Sequence, residues 1–409
     1  MKKICIISQC SLPIPTTKGG AVETLVEYII KENEKNHKFD FTIISIKEKE
    51  AEEISKNYKY TKFVYINPKN KYINKCLLFI YKILKHLKIY IPFTLEFKEA
   101  LRKLKELKDQ DYFIYEAGPT TQIPLLNKII PKEKLLVHIH WDGMGNKKIN
   151  KCFSYLIPVS NYIGDRWIKA TRCNSSKIKV LQNCAKIERF TKKITESEKE
   201  ELRAKLNIPK SNKVIIFTGR IVAEKGVKEL LNAFTNLQEK DVTLMIIGSA
   251  NFGAETNTTY EKEIDKIISN CKKSIIFTGF IHQTELYKYY SIADVAVIPS
   301  LFQDPAPLVC IETQATETPL IATRVGGIPE YTNKESTILI EADENIENNL
   351  TKEIDKLLKD EQLRKTMSKT AKQNSLKYNT STYFKNFTDI IDSIKDKRWK
   401  GKSYNDLEF

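Results

Sequence analysis

Residues 213 to 248, KVIIFTGRIVAEKGVKELLNAFTNLQEKDVTLMIIG, carry the reading that decides the fold. Two short apolar runs, Lys213 to Thr218 and Val242 to Gly248, flank an amphipathic stretch from Lys225 to Leu237. A strand, a helix long enough to cross back over a sheet, and a second strand form the unit of a parallel α/β sheet. The pattern continues downstream, with strands expected at Ser274 to Thr278, Val295 to Pro299 and Leu320 to Thr323, and helices at Tyr260 to Asn270 and Gln283 to Tyr290.

Upstream, a first series has the same rhythm. Strands are expected at Lys3 to Ser8, Phe41 to Ile46, Phe63 to Ile66, Tyr112 to Tyr115, Leu135 to His140 and Tyr155 to Val159, with helices at Ala21 to Asn36 and Phe97 to Lys108. The charged passage Lys186 to Asn212 separates the two series and reads as a boundary. The expected division is an N-terminal domain over 1–190, a C-terminal domain over 191–380, and a helix and tail over 381–409 that pack back on the first domain. Each domain is a doubly wound parallel sheet, and a ligand belongs in the crevice facing the carboxyl ends of the strands.

The 409 residues exceed one ordinary core, and 41% hydrophobic content excludes disorder for most of the chain. An excess of 67 Lys and Arg over 51 Asp and Glu gives +16, which suits an anionic partner. The eight cysteines lack CxxC spacing and read as reduced thiols of a cytoplasmic protein. Residues 69–91 include CLLFIYKILKHLKIYI (Cys76 to Ile91), whose Lys82, Lys85, His86 and Lys88 are too costly to place in hydrocarbon. This segment reads as a basic amphipathic helix, lying either on an anionic inner membrane face or against the core.

Four constellations carry candidate chemistry. Gly19 and Gly20 sit between the first strand and its helix, where backbone amides can meet an anion. GxGxxG is absent, so no dinucleotide cofactor is indicated. Arg220, at the end of a strand, and Lys225, beyond the next loop, can grip one diphosphate from two sides. Asp304 and Glu312 lie eight residues apart across a tight turn entering a helix that begins near Leu308 and Val309. His138 and His140 share one face of a strand, which with Asp142 gives the geometry of a two-histidine metal site, but no downstream His or Cys cluster completes it.

In this order, and together with Gly326-Gly327-Ile328-Pro329-Glu330, these stretches resemble the retaining glycosyltransferases of family 4, which have the GT-B fold. The likeness runs from Met1 to about Tyr331 and is densest from Val214 to Glu330. It implies transfer of a hexose or N-acetylhexosamine from a nucleotide-sugar, with UDP the first choice of nucleotide, onto a glycan or a polyprenyl- or lipid-linked acceptor in bacterial cell-surface polysaccharide synthesis. The family's Glu-x7-Glu appears as Asp304-x7-Glu312. Glu312 then matches the acid that binds the ribose hydroxyls, Asp304 the acid at the transferred sugar, and Arg220 and Lys225 the diphosphate pair. His140 matches the cleft histidine that contacts the donor sugar, Gly19 and Gly20 the N-domain glycine loop, and Asn183 the Asn of the linker motif. Phe280 and Ile281 are placed beside the base.

Two departures stand at the sugar end. Asp304 is one methylene shorter than the family's Glu, and Pro307 replaces a Gly and removes a backbone donor. The resemblance implies no metal and no cofactor, the nucleotide-sugar being a substrate. A sugar-nucleotide epimerase of the same fold is the competing reading. A basic nucleic-acid binder is a weaker one, because no RNP-like aromatic pattern or recognition helix accompanies the lysines.

Overall fold

The computed structural model describes residues 1–141, 143, 145–248 and 259–394. Asp142, one of the residues considered as a metal ligand, and the tail 395–409 lie outside the described residues.

The first sheet comprises β1 (Lys2–Ile7), β2 (Phe39–Ile46), β3 (Thr61–Ile66), β4 (Tyr112–Glu116), β5 (Leu135–Ile139) and β6 (Tyr155–Pro158) in the order β3-β2-β1-β4-β5-β6. The second comprises β7 (Lys213–Thr218), β8 (Val242–Ile247), β9 (Ser274–Gly279), β10 (Val295–Ile298), β11 (Leu320–Thr323) and β12 (Thr337–Ile340) in the order β12-β11-β10-β7-β8-β9. Every pairing is parallel, and the two orders are the same topology traced twice. This is the doubly wound GT-B architecture expected from the sequence. Strand order reverses between β1 and β4 in one sheet and between β7 and β10 in the other. At such a reversal the two following loops diverge and open a crevice for ligand.

Buried on both faces, these strands read as unbroken apolar runs: Ile4, Cys5, Ile6 and Ile7 of β1 are all fully buried. The helix Ala21–Asn36 and the strands β7 and β11 have the bounds read from the sequence. The helix expected at Phe97 to Lys108 runs instead from Leu95 to Leu104, because the Thr94 hydroxyl accepts from the Phe97 amide and caps it earlier. The helix expected from Lys225 is interrupted. A 3-10 turn, Ala223–Lys225, ends at Gly226 with φ 70°, and the α-helix runs over Val227–Thr235. A Cβ at Gly226 would stand 1.9 Å from the Pro299 carbonyl oxygen, so the kink is fixed by close approach of the backbone just after β10. The strand β12 was not expected; it is a four-residue edge strand set among polar residues.

The passage Lys186 to Asn212 is not a plain connector. It holds the helices Ile187–Phe190 and Glu196–Lys205, the latter opened by a Thr195/Glu198 capping box. Ala185, Ile187 and Phe190 are buried in the second core, alongside Val214, Ile216 and Cys310. The first core is closed from the far end of the chain. Tyr383, Phe384, Phe387 and Ile391, on the helix Thr380–Ser393, pack among Ile29, Phe39 and Phe41.

The basic segment forms the helix Lys71–His86, capped by Asn70. Tyr81 alone among its side chains is buried, its hydroxyl 2.6 Å from Thr121 Oγ1. Tyr72, Ile73, Phe79, Ile80 and Ile83 are exposed, Tyr72 by 78% and Phe79 by 66%. Among the described residues no helix is long and apolar enough to cross a membrane.

Candidate functional site

The C-terminal half of the site hangs on the β7 and β10 loops. Lys225 ends the 3-10 turn after β7, and its Nζ lies 2.6 Å from Oδ2 of Asp304 and 5.0 Å from the centre of the Phe302 ring. The two loops are tied by their backbones, Leu301 N donating to the Glu224 carbonyl at 2.9 Å. Asp304 is 7% exposed and its turn is clipped to the glycine pair, Gly327 N donating to Asp304 O at 2.7 Å and Gly326 N to Gln303 Oε1 at 2.8 Å. A Cβ at Gly326, which has φ 55°, would stand 2.2 Å from the Asp304 carbonyl oxygen. Arg220 is exposed at the end of β7. The structure therefore joins Lys225 to Asp304, and among the described residues no hydrogen bond or ion pair ties Arg220 to either.

The helix Leu308–Ala315 follows, so the amides of Leu308 and Val309 lie in its first turn, free of intrahelical acceptors. Glu312, one turn further in, is buried at 5% exposure. Its Oε1 accepts from Gln283 Nε2 at 2.9 Å, and Gln283 Oε1 accepts from Arg189 Nη1 at 2.8 Å. Burial raises the Glu312 carboxyl above its ordinary value, while Gln283 and the Arg189 charge oppose the shift. Asp304 and Glu312 make no bond with each other; each has its own partner. Phe280, 56% exposed, and the half-buried Ile281 follow β9 directly and lead into Gln283. Sequence reading missed Arg189 and Gln283, the first because it lies in the passage taken as a boundary, the second because it was counted as the start of a helix.

The N-terminal half is built on β1, β4 and β5. Gly19 and Gly20, with φ of 77° and 107°, precede the helix Ala21–Asn36, and a Cβ on Gly20 would collide with the Glu23 carboxylate. Glu23 is buried, and its carboxyl is raised first by burial and further by the nearby charge of Glu116. Glu116 ends β4 opposite His138 in the parallel register. Its carboxylate accepts from His138 Nδ1 at 3.0 Å and from His140 Nε2 at 3.1 Å. The two imidazoles lie 4.1 Å apart, and His138 Nε2 is buried with no hydrogen-bond partner. Burial would push the Glu116 carboxyl up, but the two histidines hold it near 2. His140 is lowered to about 4 by burial and by His138, so it is uncharged near neutrality. The donor atoms of Glu116, His138 and His140 lie within 4.8 Å of one another. The third member that the histidine pair lacked in the sequence is thus an upstream glutamate, brought in by strand pairing.

The halves are joined at Glu330 and Tyr331. Glu330 accepts from the amides of Asn161 and Tyr162, both at 2.7 Å, at the start of the helix Asn161–Thr171. Tyr331 donates its hydroxyl to Val159 O at 2.5 Å and accepts from Asn183 N at 2.7 Å. Asn183 Nδ2 reaches Ala306 O at 3.3 Å, so the linker touches the turn after Asp304.

Comparison with known proteins finds likenesses to glycosyltransferases. Residues 198–374 match the family described as glycosyl transferases group 1, a span that takes in Arg220, Lys225, Asp304, Glu312 and Glu330. Spore coat protein SA of Bacillus subtilis is 24% identical over 342 residues, covering 80% of this chain and 82% of that protein. A D-inositol 3-phosphate glycosyltransferase of Corynebacterium urealyticum is 30% identical over 227 residues, 54% of this chain and 52% of that one. Among solved structures, Anabaena Alr3699/HepE in complex with UDP superposes with a TM-score of 0.71 at 17% identity, covering 96% of this chain and all of the other. Two parallel six-stranded sheets with a shared topology, the loops they carry and the match over residues 198–374 agree: the chain is an enzyme of the GT-B fold whose second half is similar to the group 1 glycosyltransferases.

Proposed function

We propose that the protein moves a hexose or N-acetylhexosamine from a UDP-sugar to a glycan or lipid-linked acceptor, with retention of configuration and without a metal ion. The observation that carries this reading is the placement of Lys225, Asp304, the Leu308–Val309 amides and Glu312 in succession on the loops where the second sheet's strand order reverses. A nucleoside-diphosphate sugar laid along them has its ribose at Glu312, its diphosphate at Arg220, Lys225 and the helix N-terminus, and its sugar toward Asp304. Phe280 and Ile281 flank the base. Alr3699/HepE, the neighbour of like fold, has been solved with UDP and with UDP-glucose, which supports the choice of nucleotide.

The acceptor enters from the side of Gly19, Gly20 and His140. A double displacement needs two carboxylates about 5 Å apart astride the reacting carbon. Asp304 and Glu312 are instead held by Lys225 and Gln283. Departure and attack on one face, with the leaving diphosphate taking the acceptor proton, suits these residues better. Cations and helix amides aimed at the leaving group supply the charge stabilisation, typically about 3 to 4 kcal/mol per good donor.

The exposed Tyr72, Phe79 and Ile83, with Lys71, Lys75, Lys82 and Lys85 on the same helix, fit an anionic membrane surface that would present a lipid-linked acceptor. Four measurements test the reading. A thermal-shift screen of UDP-, GDP- and ADP-sugars should single out UDP, since ligand at about 100 times its Kd adds roughly 2.7 kcal/mol. Arg220→Ala should fold and lose transfer; wild-type turnover would remove it from the site. Phe79→Ser with Ile83→Ser should abolish co-sedimentation with vesicles containing phosphatidylglycerol, and sedimentation indifferent to anionic lipid would count against the membrane reading. Conversion of UDP-GlcNAc without any acceptor would favour an epimerase instead.

A further inference from the structure

The transfer proposed above gives no task to Glu116, a carboxylate 1% exposed at the end of β4. Its surroundings are nevertheless specific. An ionised carboxylate only accepts hydrogen bonds, so both imidazole nitrogens facing it must carry a proton: Nδ1 of His138 at 3.0 Å and Nε2 of His140 at 3.1 Å. An uncharged imidazole has one N–H. With that proton on Nε2, His140 keeps a lone pair on Nδ1, for which no hydrogen bond is found among the described residues. His138, on β5 two residues before His140, is the second donor and steadies the carboxylate from the paired strand, its ring 4.1 Å from that of His140.

We infer that Glu116 is a positioning residue: it fixes the tautomer and ring orientation of His140, so that Nδ1, a hydrogen-bond acceptor, is the nitrogen presented to a hydroxyl of the sugar or acceptor. This rests on the placement of His140 beside the donor sugar. The chemistry it gives the site is acceptance of one hydroxyl hydrogen bond by an uncharged ring. The opposite tautomer would present a donor there and repel the same hydroxyl proton. A buried carboxylate bonded to a ring nitrogen is the ordinary device for choosing between the two forms.

The chain has five histidines, His37, His86, His138, His140 and His282, few enough to resolve in long-range proton–nitrogen spectra of histidine-labelled protein. In the wild type His140 should appear as the Nε2–H tautomer alone. In Glu116→Gln one amide oxygen can serve only one ring, and the His140 signal should become a mixture of both tautomers. With the donor nucleotide sugar that gives the largest thermal shift, Glu116→Gln should lower kcat by roughly 100-fold or more, as wrong-tautomer variants do, and leave the Kd for UDP within about twofold, because UDP binds the other domain. His140→Ala should lose about as much, and the double variant no more than the worse single one, since residues acting as a unit are not additive.

Losses that multiply in the double variant, or an unchanged His140 tautomer in folded Glu116→Gln, overturn the proposal. So does stoichiometric zinc in the purified wild type that disappears in His138→Ala, because the three side chains would then be metal ligands. Wild-type turnover of His140→Ala sinks the placement of His140 at the sugar. A shifted tautomer in Glu116→Gln with normal turnover spares that placement and sinks only the positioning role.

Discussion

Lys225 Nζ stands 2.6 Å from Asp304 Oδ2, so the cation assigned to the diphosphate and the acid assigned to the sugar are one ion pair. The pair is part-buried, with side-chain exposures of 21% and 10%, and water screens it less than a surface bridge. Diphosphate must compete with Asp304 for the lysine, and each substitution has a distinct outcome.

Asp304→Asn should free Lys225 and tighten UDP binding by about threefold to tenfold, on the order of 1 kcal/mol, while transfer falls because the acid at the sugar is gone. Lys225→Ala should weaken UDP binding by at least as much. Calorimetric titration with UDP, set beside turnover, checks both, and weaker UDP binding by Asp304→Asn would show that the pair does not compete with the nucleotide.

Glu312 carries a cost at neutral pH. Its carboxyl is raised in the folded state by burial, so folding favours the protonated form. The stability associated with it is present below the ordinary carboxyl value and is lost as pH rises through the raised one. Glu312→Gln should therefore raise the apparent melting temperature at pH 7 relative to the wild type, with the gain vanishing near pH 4, and it should abolish UDP binding. A lower melting temperature at pH 7 would mean that the bond to Gln283 outweighs burial.

His140 titrates in the opposite sense. Its value falls from 6.5 to about 4, so between those values the unfolded chain takes up a proton that the folded one refuses. Stability should decline as pH drops across that window, by up to about 1.4 kcal/mol per pH unit. Urea unfolding of the wild type and His140→Gln at pH 7 and pH 5 isolates this contribution, and equal losses in the two proteins would refute it. Glu116, held near 2, adds a second loss as pH falls below its ordinary 4.5.

Glu330 is a helix cap supplied by the other domain. It receives the Asn161 and Tyr162 amides and the Asn161 side chain, the last at 2.8 Å. Loss of a capping acceptor costs about 1 to 2 kcal/mol. Glu330→Ala should lower the apparent melting temperature by roughly 2 to 6 °C and broaden the transition, as the domains cease to unfold together. Scanning calorimetry measures both, and an unchanged, equally sharp transition would show that the clasp does not couple them.

Much of the architecture was legible because strands buried on both faces must be apolar throughout. Lys213 to Thr218 and Leu320 to Thr323 therefore announced their own limits, and Ala21 to Asn36 did so through its glycine start. Thr337–Ile340 gave no such signal, since an edge strand of four residues is partly exposed and looks like any short apolar run. The break at Gly226 was invisible for another reason: it depends on the Pro299 carbonyl, which lies more than 70 residues away in the chain.

The sequence by itself determined the class of fold, the double βα series, and the residue types at the loops: Arg220, Lys225, Asp304, Glu312, Gly19, Gly20 and His140. The fold class and the series follow from local periodicity, and the choice of those residues from chemistry at short spacing taken together with the resemblance to a known family. Tertiary structure alone decided which of them meet. It paired Lys225 with Asp304 across 79 positions, joined Glu312 to Gln283 and through it to Arg189, and set Glu116 between histidines 22 and 24 residues downstream. Hydrogen-bond partners depend on register between strands and on how close two loops are brought, and neither quantity is encoded in the neighbourhood of any one residue.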